Sequence, residues 1–123
     1  MTNRVLLIDD SALQLRIREA VLRDAGFEVC ISTTAEGALA LLRTPSVGPT
    51  IGTIVTDHRM PGTTGSEFVR QLRHIQSEIP VIVITGLPGA EDEYEGLSVT
   101  YRQKPCAPSD LIELVRESMA KAA

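Results

Sequence analysis

Val5-Leu6-Leu7-Ile8 is apolar at four consecutive positions and is closed by Asp9-Asp10. A half-exposed strand alternates polar and apolar residues. An unbroken apolar run is what a strand shows when both of its faces are covered, as in a parallel sheet. Val81-Ile82-Val83-Ile84 forms a similar run between Pro80 and Thr85-Gly86. A third, Thr53 to Thr56, leads into Asp57 and the Pro61-Gly62 turn. Phe27 to Ser32 and Val99 to Arg102 read as two more strands.

Helical segments separate these runs. Ser11 opens a helix to about Ala25, with Gly26 as its stop. Leu13, Ile17, Ala20 and Val21 share one face and are expected to meet the sheet. Leu15 and Leu22 then fall outside, and Arg16, Arg18 and Arg23 are expected to be solvated. Thr34 or Thr33 can cap a second helix to about Arg43, apolar at Ala35, Ala38, Leu39 and Leu42. Thr64-Gly65-Ser66-Glu67 precedes a third, to about Gln76, with Phe68, Val69, Leu72 and Ile75 inward and His74 on its surface. Ala90 to Glu95 is acidic, has few apolar anchors, and suits a turn or two of helix. Pro108-Ser109-Asp110 starts a last helix, with Leu111, Leu114, Val115, Ser118 and Met119 at helical spacing.

Five strands alternating with helical segments predict an α/β domain built of right-handed βαβ units around a parallel sheet. In such sheets the loops after the strands' carboxyl ends gather at one edge, where ligands bind. Those loops hold Asp9 and Asp10, Asp57, Thr85 and Lys104. Asp57 alone would be read as a turn residue. With the other four it becomes part of a site of three carboxylates, a hydroxyl and an ammonium. Clustered carboxylates repel, so at least one pKa is expected to rise.

Composition narrows the classes. A chain of 123 residues suits one domain with a real core. A net charge of -4 argues against a direct nucleic-acid surface. No segment approaches a transmembrane span, so no membrane partner is expected. Cys30 and Cys106 lack metal-ligand spacing and read as reduced thiols, which suits a cytoplasmic location.

Taken in order, these residues resemble the receiver domain of two-component response regulators over nearly the whole chain. The signature is Asp9-Asp10 after the first strand and Asp57 after the third, with Met60-Pro61-Gly62 and Gly65 downstream. Thr85-Gly86 follows the fourth strand, and Lys104-Pro105 the fifth, with Tyr101 just before. No single piece is specific; the ordered set is. The resemblance implies a doubly wound (βα)5 flavodoxin-like fold of strand order 2-1-3-4-5. It implies one receiver domain over 1–123 with no output domain, acting alone or cut from a hybrid kinase or longer regulator. Thr85 to Lys104 is a few residues shorter than the family usually shows, so the fourth helix is expected to be short or irregular.

The resemblance also assigns roles. Asp57 would be the phosphoacceptor, assisted by Thr85 and Lys104, in a domain that aids its own phosphorylation without being an enzyme. Mg²⁺ would be held by Asp9, Asp10, Asp57 and the backbone carbonyl of Arg59, and the Lys104-Pro105 bond would be cis. Thr85 and Tyr101 would form the switch. A histidine kinase or histidine phosphotransfer protein would be the donor, and a protein of unknown identity the target. Arg59 and Leu87 flank the site at positions that tune phosphoryl lifetime in the family. His58 is expected to point away from Asp57. Gly86-Leu87-Pro88-Gly89 lacks the spacing of a phosphate-cradling loop. Two rivals are weaker. A haloacid-dehalogenase-type phosphatase needs a second Asp where Arg59 stands, and a receiver-like module that works unphosphorylated usually lacks the acidic pair, the acceptor or the Lys.

Overall fold

The computed structural model describes residues 3–75, 78–86 and 89–122, with side chains as far as residue 120. Five parallel strands, β1 (Arg4–Ile8), β2 (Glu28–Ser32), β3 (Ile51–Thr56), β4 (Val81–Thr85) and β5 (Val99–Gln103), form one sheet. Its order is β2-β1-β3-β4-β5. Helices α1 (Ala12–Asp24), α2 (Ala35–Arg43), α3 (Gly65–Ile75) and α4 (Pro108–Ala122) complete it. The expected flavodoxin-like fold is present. Where a further helix would join β4 to β5, the described residues form a single 3₁₀ turn, Glu91–Tyr94. The third helix starts earlier than read, and Gln76, its expected end, lies outside the described residues, as does Leu87.

Strand alternation divides the core in two. Leu6 and Ile8 of β1 face the layer of α2 and α3, with Leu39, Phe68 and Leu72. Val5 and Leu7 face the layer of α1 and α4, with Leu22, Leu111 and Val115. Both clusters are buried, which is why β1 and β4 are apolar on both faces and β3 is buried throughout. Ser11 caps α1 by accepting the backbone N–H of Gln14, and Thr34 caps α2 by accepting that of Gly37. Gly26 ends the first helical unit at φ +97°, a conformation glycine takes at no steric cost.

Two expectations fail at helix faces. Leu15, Arg18 and Leu22 are the buried residues of α1, while Leu13 and Ile17 stand 68% and 48% exposed. Both stripes carry apolar residues, and periodicity pointed to the wrong one; the inward stripe also carries the pairing of Arg18 with Asp9. Arg18 and Arg23 are therefore not simply solvated: Arg23 donates to the Val29 carbonyl. In α3, Phe68, Val69 and Leu72 are buried as expected, but Ile75, its last residue, is exposed.

Candidate functional site

The order of the sheet reverses between β1 and β3, and ligands of open α/β sheets bind at such a reversal. Asp9 and Asp10 follow β1, and Asp57 follows β3. Asp57 is 8% exposed. Its Oδ1 accepts backbone N–H bonds from His58 at 2.7 Å and Arg59 at 3.4 Å. Its Oδ2 accepts from Lys104 Nζ at 3.2 Å. Lys104 is brought there by backbone pairing: its N–H donates to the Thr85 carbonyl at 2.8 Å, tying the end of β5 to the end of β4. The Lys104-Pro105 peptide is cis, as expected. Thr85 is buried at the end of β4, and Tyr101 is half-buried on β5.

The acidic pair is split. Asp10 is exposed and lines a cleft of about 480 Å³ with His58, Arg59, Met60, Pro61 and Thr64. Asp9 is buried. Its Oδ1 accepts the Ser11 N–H at 2.9 Å, and its Oδ2 lies 3.5 Å from Arg18 Nη1. Burial raises the Asp9 carboxyl above the usual carboxylate range, and the Asp57 charge adds to the rise; the Ser11 N–H and Arg18 oppose it. The expected rise is present, but desolvation leads and repulsion between carboxylates follows.

His58 turns away from Asp57, as expected. Its ring is buried, with Nδ1 2.7 Å from the Tyr94 hydroxyl and Nε2 3.5 Å from Glu93 Oε2. A proton on Nε2 satisfies both contacts, and the Tyr94 hydroxyl then donates to Nδ1. Tyr94 is also buried, its ring centroid 5.8 Å from that of Tyr101. Burial, with the Glu93 charge, holds its phenol well above the ordinary value of 10.0. Arg70 and Arg73 of α3 bind the carbonyls of Glu93, Leu97 and Ser98. The segment that replaces the missing helix is thus held down by side chains.

Sequence reasoning missed Arg18 and Tyr94. Arg18 stands on the stripe of Leu15 and Leu22, a spacing that could have flagged it. Tyr94 is the one aromatic residue in an acidic stretch, which marks an anchor.

The donor set is hard oxygen. Among the described residues no three His, Cys, Asp or Glu side chains make a ready-made cage for a metal ion. Hard oxygen donors are the ligand type that Mg²⁺ takes, usually one or two carboxylates with several waters.

Fold and site together define an open, doubly wound α/β domain with a nearly buried Asp, a Lys and a hydroxyl at its strand ends. The sequence model of the response regulator receiver domain family matches residues 5–116. The chain belongs to the response regulator receiver domain family of two-component signalling. The hydrogenase transcriptional regulatory protein HoxA of Cupriavidus necator is 37% identical to it over 122 residues, covering 94% of this chain and 24% of that protein. The two-component response regulator ORR6 of Oryza sativa subsp. japonica is 32% identical over 123 residues, covering 89% of this chain and 67% of that protein. Among solved structures, a response regulator receiver protein from Sinorhizobium medicae is 28% identical with a TM-score of 0.85, covering 98% of this chain and 96% of the other. The chemotaxis response regulator CheY4 of Vibrio cholerae is 28% identical with a TM-score of 0.81, covering 96% and 99%. The chain spans between about a quarter and a half of the length of the first curated relatives it matches. Receiver domains of this family generally bind Mg²⁺ at their acidic pocket and receive phosphate from histidine kinases. Among the described residues no helix is long and apolar enough to cross a membrane.

Proposed function

We propose that this chain is a phosphoacceptor switch: Asp57 takes a phosphoryl group from a histidine kinase or histidine phosphotransfer protein in a Mg²⁺-dependent reaction. The observation that carries the reading is the Asp57 carboxylate, nearly buried at the end of β3 with Lys104 Nζ 3.2 Å from Oδ2. A carboxylate oxygen attacks phosphorus, the bond from phosphorus to the donor's imidazole nitrogen breaks, and an acyl phosphate forms on Asp57. Phosphoryl transfer of this kind needs positioning and charge neutralisation more than covalent chemistry from the protein. Asp57 is oriented by the N–H groups of His58 and Arg59. Lys104 supplies a point charge to the phosphoryl oxygens, and Thr85 a hydroxyl. Asp10, Asp57 and the Arg59 carbonyl, with Asp9 behind them, would hold Mg²⁺, which when bound neutralises phosphoryl oxygens.

The added charge then biases a two-state element. Thr85 and Tyr101 carry it to the face formed by the 3₁₀ turn, β5 and α4, where a downstream protein target binds. The domain assists its own phosphorylation and dephosphorylation but is no classical enzyme. A single receiver unit working in the cytoplasm, without direct nucleic-acid contact, completes the reading.

Incubation with acetyl phosphate and Mg²⁺ tests it. The expected product is a phosphoprotein labile to base and to hydroxylamine, absent from Asp57→Asn. Label that resists both reagents, or an equally labelled Asp57→Asn, refutes the reading and favours a module that works unphosphorylated.

A further inference from the structure

Arg18 is a charged residue in an apolar position. It lies on the inward stripe of α1 between Leu15 and Leu22 and is 8% exposed. Its guanidinium places a positive charge beside the acidic pocket. Nη1 is 3.5 Å from Asp9 Oδ2, and the other Asp9 oxygen accepts the Ser11 N–H. Both oxygens of Asp9 are therefore engaged within the chain. Lys104 stands in the same relation to Asp57.

Stability alone does not explain such a pair. Desolvating two charges costs about as much as their attraction returns, and a pair of apolar residues in place of both partners often serves as well or better. The pair has a different consequence for a cation entering the pocket. The cation must share Asp9 with a guanidinium and is repelled by it.

We infer that Arg18 is a positioning residue that sets the metal affinity of the pocket: a built-in counter-cation that holds Asp9 when no metal is bound and thereby weakens Mg²⁺ binding. The inference rests on the reading that Asp9, Asp10 and Asp57 form the Mg²⁺ site. Removing the charge frees Asp9 and removes the repulsion. In a pocket open to water the screened effect is about tenfold in affinity.

Calorimetric titration of the full chain with MgCl₂ at pH 8 and low ionic strength tests it, on the parent, Arg18→Met, Arg18→Lys and Asp10→Asn. Arg18→Met is expected to bind Mg²⁺ about tenfold more tightly than the parent, although its metal-free form melts lower. Arg18→Lys, which keeps the charge, should stay nearer the parent. A purely structural role would lower the melting temperature and leave the affinity alone. Equal or weaker binding by Arg18→Met overturns the inference. Should that variant fail to fold, Arg18→Gln, which can still donate to Asp9 without a charge, carries the same expectation. Where the parent binds Mg²⁺ and Asp10→Asn does not, a failure at Arg18 removes only this inference. No Mg²⁺ binding by either the parent or the Arg18 variants removes the proposed metal site with it, whereas binding by Arg18→Met alone supports both.

Discussion

Tyr94→Phe isolates one hydrogen bond in the segment that replaces the fourth helix. The ring stays, so its T-shaped contact with His58, at 5.5 Å between centroids, and its contact with Tyr101 stay too. Only the hydroxyl leaves, and with it the 2.7 Å partner of His58 Nδ1. His58 is 3% exposed, so water does not readily replace that partner. A buried polar atom stripped of its partner costs about 1–3 kcal/mol. For a domain of this size that corresponds to a melting temperature lower by roughly 3–12 °C. Tyr94→Ala, which also empties the ring's site, should cost about 3–5 kcal/mol. Thermal melts followed by circular dichroism, with urea titrations to confirm an unchanged m-value, measure both. A cycle with His58→Leu completes the argument: once His58 is gone, Tyr94→Phe should be nearly silent. A Phe variant as stable as the parent, or one equally destabilising with and without His58, would refute the bond as the anchor.

Thr53 Oγ1 is buried on β3 and is the one buried side-chain polar atom without a hydrogen-bond partner among the described residues. Thr53→Val keeps the shape and should stabilise the fold by about 1–3 kcal/mol, read as a higher urea midpoint. Gly65→Ala should destabilise by about 1–3 kcal/mol, because its Cβ would meet the Tyr94 hydroxyl, the Asp57 carbonyl at 2.8 Å and His58 Cα at 3.0 Å; a stability equal to the parent's in the same titration counts against that packing. Tyr94's raised pKa means that the unfolded chain ionises this phenol near pH 10 while the folded chain still holds its proton. The stability it contributes is full below that pH and falls as pH rises toward the folded pKa. Urea midpoints above pH 10 should therefore fall less steeply in Tyr94→Phe than in the parent, and parallel slopes would show that Tyr94 is not the group responsible.

The strand runs Val5–Ile8 and Val81–Ile84, with the ordered set of Asp9, Asp10, Asp57, Thr85 and Lys104, were enough to read a parallel α/β sheet and its ligand edge, while the strand order came with the family resemblance. Both are local signals: an apolar run reports two covered faces, and a residue at a strand's end reports which edge it joins. The shortened link between β4 and β5 was legible for the same reason, since it is a matter of length.

The faces of α1 were not. Leu13 and Ile17, with Ala20 and Val21, offer one apolar stripe and Leu15 and Leu22 another, and helical periodicity pointed to the first, the stripe that the fold leaves outside. Only the folded chain, with Asp9 buried at the end of β1, makes the stripe that carries Arg18 the inward one, because a desolvated carboxylate needs a cation within reach. Tyr94 is the same case. Its sequence neighbours are Glu91, Asp92, Glu93 and Glu95, which say nothing of a core. Its seat is made by Gly65 and His58, about thirty residues earlier in the chain, and by Tyr101 on β5. The residue types at the site follow from sequence order alone. Which charge meets which, and what holds the segment beside them, are long-range pairings that exist only once the sheet has formed.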